Sequence, residues 1–249
     1  MRTLSRAWPE FMTMDPVADL YFTHLERFHA EWVLVATPAN DPSRVIARAY
    51  SVPFAYGPRA GRDRLPPDGW DRVIRWAFHD RAHGISPTAA SALDITVDPE
   101  FLGQRLSGLM VEHLRENVRR YGFRDLFAPV RPTRKAQFPE VSMDTYLART
   151  RDDGLPEDPW LRTHVRAGGT VVGVAPTSMT VTGTVQQWRR WTGLPFDRSG
   201  PVIAPGALAP VHCHLLEGYA AYVEPNVWVH HRIDDAAPEF LPTIDLGGA

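Results

Sequence analysis

Between residues 15 and 28 the apolar side chains fall at Val17, Leu20, Tyr21, Leu25 and Phe28, the spacing of one helix face. Asp15 supplies an N-cap, and Pro16 suits the first turn, where a missing N–H costs nothing. Two stretches, 31–37 and 44–52, read as strands separated by the turn-forming Pro38-Ala39-Asn40-Asp41-Pro42. Pro66-Pro67-Asp68-Gly69 opens a helix over 70–79, with Trp70, Val73, Ile74 and Ala77 on one side. Residues 92–97 form a strand that stops at Asp98-Pro99. Alternation puts Asp94 and Thr96 on one of its faces and Leu93, Ile95 and Val97 on the other.

Leu106, Leu109, Met110, Leu114, Val118 and Tyr121 make an amphipathic stripe that Gly122 ends as a C-cap. Residues 125–130 are the next strand. Strand, helix and strand with a short return form a right-handed crossover, so these two strands should be parallel. Further on, the pattern predicts short helices over 143–149 and 159–167, the latter closed by Gly168-Gly169. A strand over 171–174, a helix over 185–191 and a hairpin of 208–215 with 219–231 complete the chain. The expectation is an α/β fold with a mixed sheet, a single domain with an extended C-terminal portion.

Composition narrows the partners. The 249 residues carry 27 basic and 29 acidic side chains, a net charge of −2, whereas a dedicated nucleic-acid binder is normally clearly basic. The longest apolar runs, such as 32–36, are far too short for a membrane span. Glu10 and Asp15 interrupt the N-terminus before a signal-peptide core develops. One cysteine, Cys213, makes no internal disulfide, which fits a cytoplasmic protein. Lys135 is the only lysine, so it is the only side-chain amine.

Common signatures are absent: no G-x-S-x-G, P-loop, G-x-G-x-x-G, C-x-x-C or H-E-x-x-H. What stands out is Leu93-Asp94-Ile95-Thr96-Val97-Asp98-Pro99-Glu100-Phe101-Leu102-Gly103-Gln104-Arg105-Leu106-Ser107-Gly108-Leu109-Met110. This resembles the central motif of the GNAT acetyltransferase superfamily, a strand ending in V-x-P-x-[YF] that runs into a Q/R-x-x-G-x-G/A turn opening a helix. A helix N-terminus with free N–H groups suits the pyrophosphate of acetyl-CoA or another acyl-CoA. The resemblance implies a mixed, splayed β-sheet flanked by helices. It implies that Ile95, Thr96 and Val97 hold the pantetheine arm through their backbone, and that Gln104, Arg105, Leu106, Ser107 and Gly108 form the phosphate turn. Aligned on Val97 and Pro99, Gly103 is kept, but Leu102, Arg105 and Ser107 replace the usual Gln/Arg, first glycine and final small residue. Arg105 either pairs with a CoA phosphate or obstructs the turn.

The stretch from Asp158 to Gly173 resembles the later family element, a helix carrying an aromatic, then a glycine, then a strand. The chain is also similar to actinobacterial members in Trp8-Pro9-Glu10-Phe11, Ala128-Pro129-Val130-Arg131-Pro132 and Tyr222-Val223-Glu224-Pro225-Asn226-Val227-Trp228. On this reading residues 14–131 form an N-terminal half with the acyl-CoA motif. Residues 132–249 form the acceptor-side half and the hairpin, through which family members often form homodimers.

Acyl transfer to an amine needs a base for the nucleophile and a proton donor for the thiolate. Asp94 is the candidate base; its plain alternative is a carboxylate paired with an arginine. The resemblance aligns His164 with the family's acidic tyrosine, and Tyr146 is a second acid candidate. His164 is equally readable as a half-buried helix histidine, and Tyr146 reads more readily as packing than as chemistry. The cluster Arg119, Arg120, Arg124, Arg131, Arg134 and Lys135 frames an acidic group or is solvated surface. His212-Cys213-His214 has no third ligand at metal spacing, so no metal is expected. The leading expectation is acetylation, or related acylation, of a small-molecule amine. The alternatives are a GNAT fold repurposed for CoA-independent elimination, cyclisation or decarboxylation, and a non-catalytic binding module.

Overall fold

The computed structural model describes residues 8–233. Eight strands form one sheet: β1 (Val33–Ala36), β2 (Ala47–Phe54), β3 (Ala89–Val97), β4 (Asp125–Val130), β5 (Gly169–Thr184), β6 (Gly200–Val202), β7 (Val211–His214) and β8 (Tyr219–Arg232). Their order is β1-β2-β3-β4-β8-β7-β6, and β5 lies along the other edge of β8. β8 is long enough to pair with β4 over its C-terminal half and with β7 over its N-terminal end. No helix among the described residues is long and apolar enough to cross a membrane.

Helices cover both faces. On one, α3 (Gly69–Ala82) buries Trp70, Val73, Ile74 and Ala77, the four residues its periodicity selects, in a core shared with Phe11 and Trp188. On the other, α4 (Leu106–Arg120) buries Leu106, Met110, Leu114 and Val118. Tyr121, the last residue of that stripe, is instead exposed and packs on Trp32 at 4.7 Å between ring centroids.

Several expectations are corrected. The first helix breaks into α1 (Pro16–Tyr21), a 3₁₀ turn over Phe22–His24, and α2 (Leu25–Phe28). The break turns Phe22 onto Tyr50 and Trp70, at 4.9 and 5.7 Å. Asp15 does cap α1, accepting from the amides of Val17 and Ala18. Residues 171–174 are only part of β5, which continues to Thr184. Its alternation is hidden by a wide bulge between Ala175 and Met179, where Thr177 donates backbone and hydroxyl bonds to the Pro67 carbonyl. β6 was not visible as a strand. The expected helices over 143–149, 159–167 and 185–191 are α5 (Met143–Leu147), α6 (Pro159–Arg166) and α7 (Val185–Thr192).

A second bulge matters more. Tyr50 pairs with Asp94 but Ser51 pairs with Ala92, so Leu93 is an extra residue on β3. Leu93 therefore packs with Trp70 and Phe127, whereas Ile95 and Val97 pack on the α4 side. Strict alternation had placed the three together. The Trp70 indole N–H donates to the Leu93 carbonyl at 3.0 Å, which satisfies the bulge.

Two buried carboxylates meet where α1 crosses α3. Asp15 Oδ2 and Asp71 Oδ1 are buried without a hydrogen-bond partner. Burial, and then the neighbouring Asp15 charge, push the Asp71 carboxyl up to about 8. A group that binds its proton more tightly when folded stabilises the fold at low pH and loses that contribution as pH rises. The wild-type protein is therefore expected to lose stability between pH 4 and pH 8 by roughly 1 kcal/mol per unit crossed. Asp71→Asn should flatten this dependence in urea titrations at pH 5 and pH 8. An unchanged slope in the variant would contradict the assignment.

Candidate active site

β3 and β4 are parallel, as the crossover requires, but they pair only at Ala90–Leu126 and Ser91–Phe127. Beyond those residues the strands part. β3 carries on through Val97 against β2, and β4 carries on through Val130 against β8. Between them opens a cavity of about 540 Å³. Residues 92–97 form one wall and residues 128–131 the other. The backbone of Ile95, Thr96 and Val97 therefore stands at a cavity edge that no strand among the described residues covers.

The turn into α4 keeps an open path. Gly103 has φ +84° and Arg105 has φ +60°, the left-handed conformation usually left to glycine. Arg105 thus takes a backbone conformation that glycine favours, and its exposed side chain does not line the cavity. No side chain caps α4, and the first helical bond runs from the Leu109 amide to Arg105. The amides of Leu106, Ser107 and Gly108 precede that bond and remain available to an anion. Of the turn, Ser107 lines the cavity; Gln104, Arg105, Leu106 and Gly108 do not.

Asp94 occupies the junction of two spaces. It lines the large cavity and a second one of about 270 Å³ bounded by Trp8, Met12, Phe22, Arg48, Trp70 and Met179, among others. Thr96 donates its hydroxyl to Asp94 at 2.7 Å. Burial raises the Asp94 carboxyl, opposed in part by the Thr96 bond, the Arg48 charge and a bond from Trp8. A carboxylate raised in this way is a better proton acceptor near neutral pH than a solvated one.

His164 also lines the large cavity and is buried. Its Nδ1 lies 2.9 Å from His231 Nε2, and Trp160 packs edge-on against the ring. Burial and the adjacent His231 lower its pKa to about 3, so the ring is neutral at pH 7. Tyr146 is not brought to the site. Its buried hydroxyl donates to Asp158 at 2.8 Å, and that carboxylate also caps α6 through the amides of Trp160 and Leu161. The basic cluster is likewise not one surface. Lys135 is buried with its ammonium on the carbonyls of Phe138 and Leu208. Arg131 reaches the cavity wall, where its Nε lies 3.0 Å from both oxygens of Glu224. Among the described residues no cluster of three metal-ligating side chains occurs; His212 and His214 are exposed and Cys213 is buried.

No family model matches the chain. A curated relative does: arginine N-acetyltransferase avaD of Aspergillus versicolor is 33% identical over 256 residues, spanning 92% of this chain and 87% of the relative. The chain belongs to the GNAT acetyltransferase superfamily. It is a GNAT-type acyltransferase, and solved structures agree on the fold. The loading GNATL domain of CurA from Lyngbya majuscula has a TM-score of 0.60 at 14% identity, covering 93% of this chain and 90% of that one. The GphF GNAT-like decarboxylase in complex with isobutyryl-CoA has a TM-score of 0.52 at 18% identity, covering 94% and 92%.

Sequence reasoning assigned no site role to Trp8, Arg48, Glu224 or Asn226 in this GNAT enzyme, and read Trp70 as core or as an acceptor-pocket wall. Three of them sit in motifs that carried only the family resemblance, and all line one or both cavities. Glu224 is fully buried; besides Arg131 it accepts from Tyr222 and Asn226, and Asn226 accepts from Ser178 at 2.6 Å. Ser178 in turn accepts the Trp70 amide. Arg131→Met leaves that carboxylate buried and uncompensated, so it is expected to cost about 3 kcal/mol or more in urea denaturation. Adding Glu224→Gln should recover part of the loss, and a single variant as stable as wild type would contradict this account.

Proposed function

We propose that this enzyme transfers an acyl group, acetyl in the simplest case, from acyl-CoA to a nitrogen of a small molecule of the arginine type. The observation that carries the reading is the position of Asp94, the carboxylate shared by both cavities. The pantetheine arm would run along the uncovered edge of Ile95, Thr96 and Val97, with its pyrophosphate at the amides that open α4. The acceptor would enter the smaller cavity, whose Trp8, Trp70 and Phe22 rings and Asp94 carboxylate suit a cationic side chain. Arginine is the first acceptor to try because the curated relative is named for it.

The chemistry follows from those positions. Asp94 takes a proton from the acceptor nitrogen, which then attacks the thioester carbonyl carbon. The C–N bond forms, the C–S bond breaks, and the electron pair leaves on sulfur. An amide N–H at the uncovered edge of β3 stabilises the developing oxyanion. His164, neutral at working pH, steadies the thiolate by a hydrogen bond rather than as an imidazolium; the thiolate then takes up the proton released from the acceptor. The left-handed Arg105 keeps the phosphate turn open, which favours acyl-CoA over CoA-free chemistry.

Asp94→Asn is expected to lower kcat by about 10²–10⁴ while acetyl-CoA affinity stays within a few-fold. In the wild type, kcat/KM should rise with pH as Asp94 loses its proton, and the variant should lack that limb. The assay is release of free thiol from acetyl-CoA with arginine and its derivatives as acceptors. A variant within threefold of wild type would remove Asp94 from the chemistry.

A further inference from the structure

The smaller cavity contains a cation that acyl transfer does not use. Arg48 projects from β2 into it, half-buried, with its guanidinium 4.6 Å from the Tyr50 ring centroid. Its Nε is buried without a hydrogen-bond partner. Arg62 and Arg131 each hold a buried carboxylate, but among the described residues Arg48 has no ion pair with any side chain. Asp94 feels the Arg48 charge but makes no ion pair with it, and its carboxylate accepts from Thr96 and Trp8 instead. The Glu26 carboxylate is bound by the Tyr50 hydroxyl at 2.6 Å.

Register fixes where this cation lies relative to the reacting nitrogen. Arg48 stands opposite Thr96 and Tyr50 opposite Asp94, so Arg48 and Asp94 are diagonal neighbours on one sheet face. Such pairs are about 7–8 Å apart along the backbone, within reach of a long side chain. Both line the smaller cavity, so a ligand there that presents a nitrogen to Asp94 can present an adjacent oxygen acceptor to Arg48. A plain amine would offer no acceptor to the buried Arg48 Nε, which is unfavourable.

We propose that Arg48 sets acceptor specificity by binding a carboxylate or carbonyl oxygen carried next to the nitrogen that Asp94 faces. The acceptor is then an α-amino acid or a derivative that keeps its carbonyl, and not a simple amine. This rests on the smaller cavity being the acceptor site.

The test is calorimetric titration of the full chain, with and without saturating CoA, so that the result does not depend on turnover. The probes are L-arginine, L-argininamide and agmatine, with L-tyrosine and tyramine as a second pair. The wild type is expected to bind each amino acid at least about tenfold more tightly than its decarboxylated partner, as a charge-assisted bond allows, with the amide between. Arg48→Met should erase the ratio, and Arg48→Lys should keep part of it; an unchanged urea midpoint establishes that both variants fold. A ratio that survives in Arg48→Met, a wild type that does not discriminate, or no binding by any probe overturns the proposal. Binding with the expected ratio but no thiol release from acetyl-CoA would instead defeat the acyl-transfer reading and leave the Arg48 site standing.

Discussion

The parting of β3 from β4 after two residue pairs is the constraint on which the site depends. Parallel strands satisfy their backbone groups through each other, so strands that separate must find partners on their remaining edges or leave groups open. Here β2 holds β3 and β8 holds β4, and the open edges face a cavity instead of solvent or core. The bulge at Leu93 sits just where the strands begin to part. It turns Leu93 into the α3-side core and delivers Asp94 to the place where the two cavities meet. Trp70 holds the bulge by its indole N–H and, through its amide and Ser178, ties α3 to the Asn226–Glu224 network on β8.

Charge is placed with the same economy. Glu224 is a fully buried carboxylate neutralised by Arg131 and further bonded by Tyr222 and Asn226, so it forms a rigid wall and not a reactive group. Asp94 is the contrasting case. It has a hydroxyl and an indole but no salt bridge, and burial raises its affinity for a proton. Two acidic side chains on one cavity are thus held in opposite environments by their partners. Tyr146 and His164 divide in a similar way: the tyrosine hydroxyl is consumed by Asp158, while the histidine faces the cavity.

Much of the architecture was legible because helix stripes and the crossover obey simple periods. The buried face of α3 and the centre of that of α4 are those that periodicity selects, and the residues of β4 are those expected. The resemblance to the acyltransferase motif located β3 and the turn that opens α4. What escaped were features set by tertiary contact. The Leu93 bulge depends on an indole 23 residues away in sequence, and the β5 bulge depends on the Pro67 carbonyl. Glu224 and Arg131 are 93 residues apart, and no local pattern pairs them. Arg105 had two readings, pairing with a phosphate or obstructing the turn, because a side chain's bulk does not reveal which backbone conformation its neighbours impose.

The central claim is that the cleft between β3 and β4 is a working acyl-CoA site. Isothermal titration with acetyl-CoA, on the wild type and on Arg105→Gly, tests it most directly. The account predicts micromolar binding by the wild type and an affinity within a few-fold in the variant, because Arg105 already holds the left-handed conformation that glycine favours. No binding by the wild type, with binding recovered in Arg105→Gly, would mean that the arginine closes the site and would contradict it.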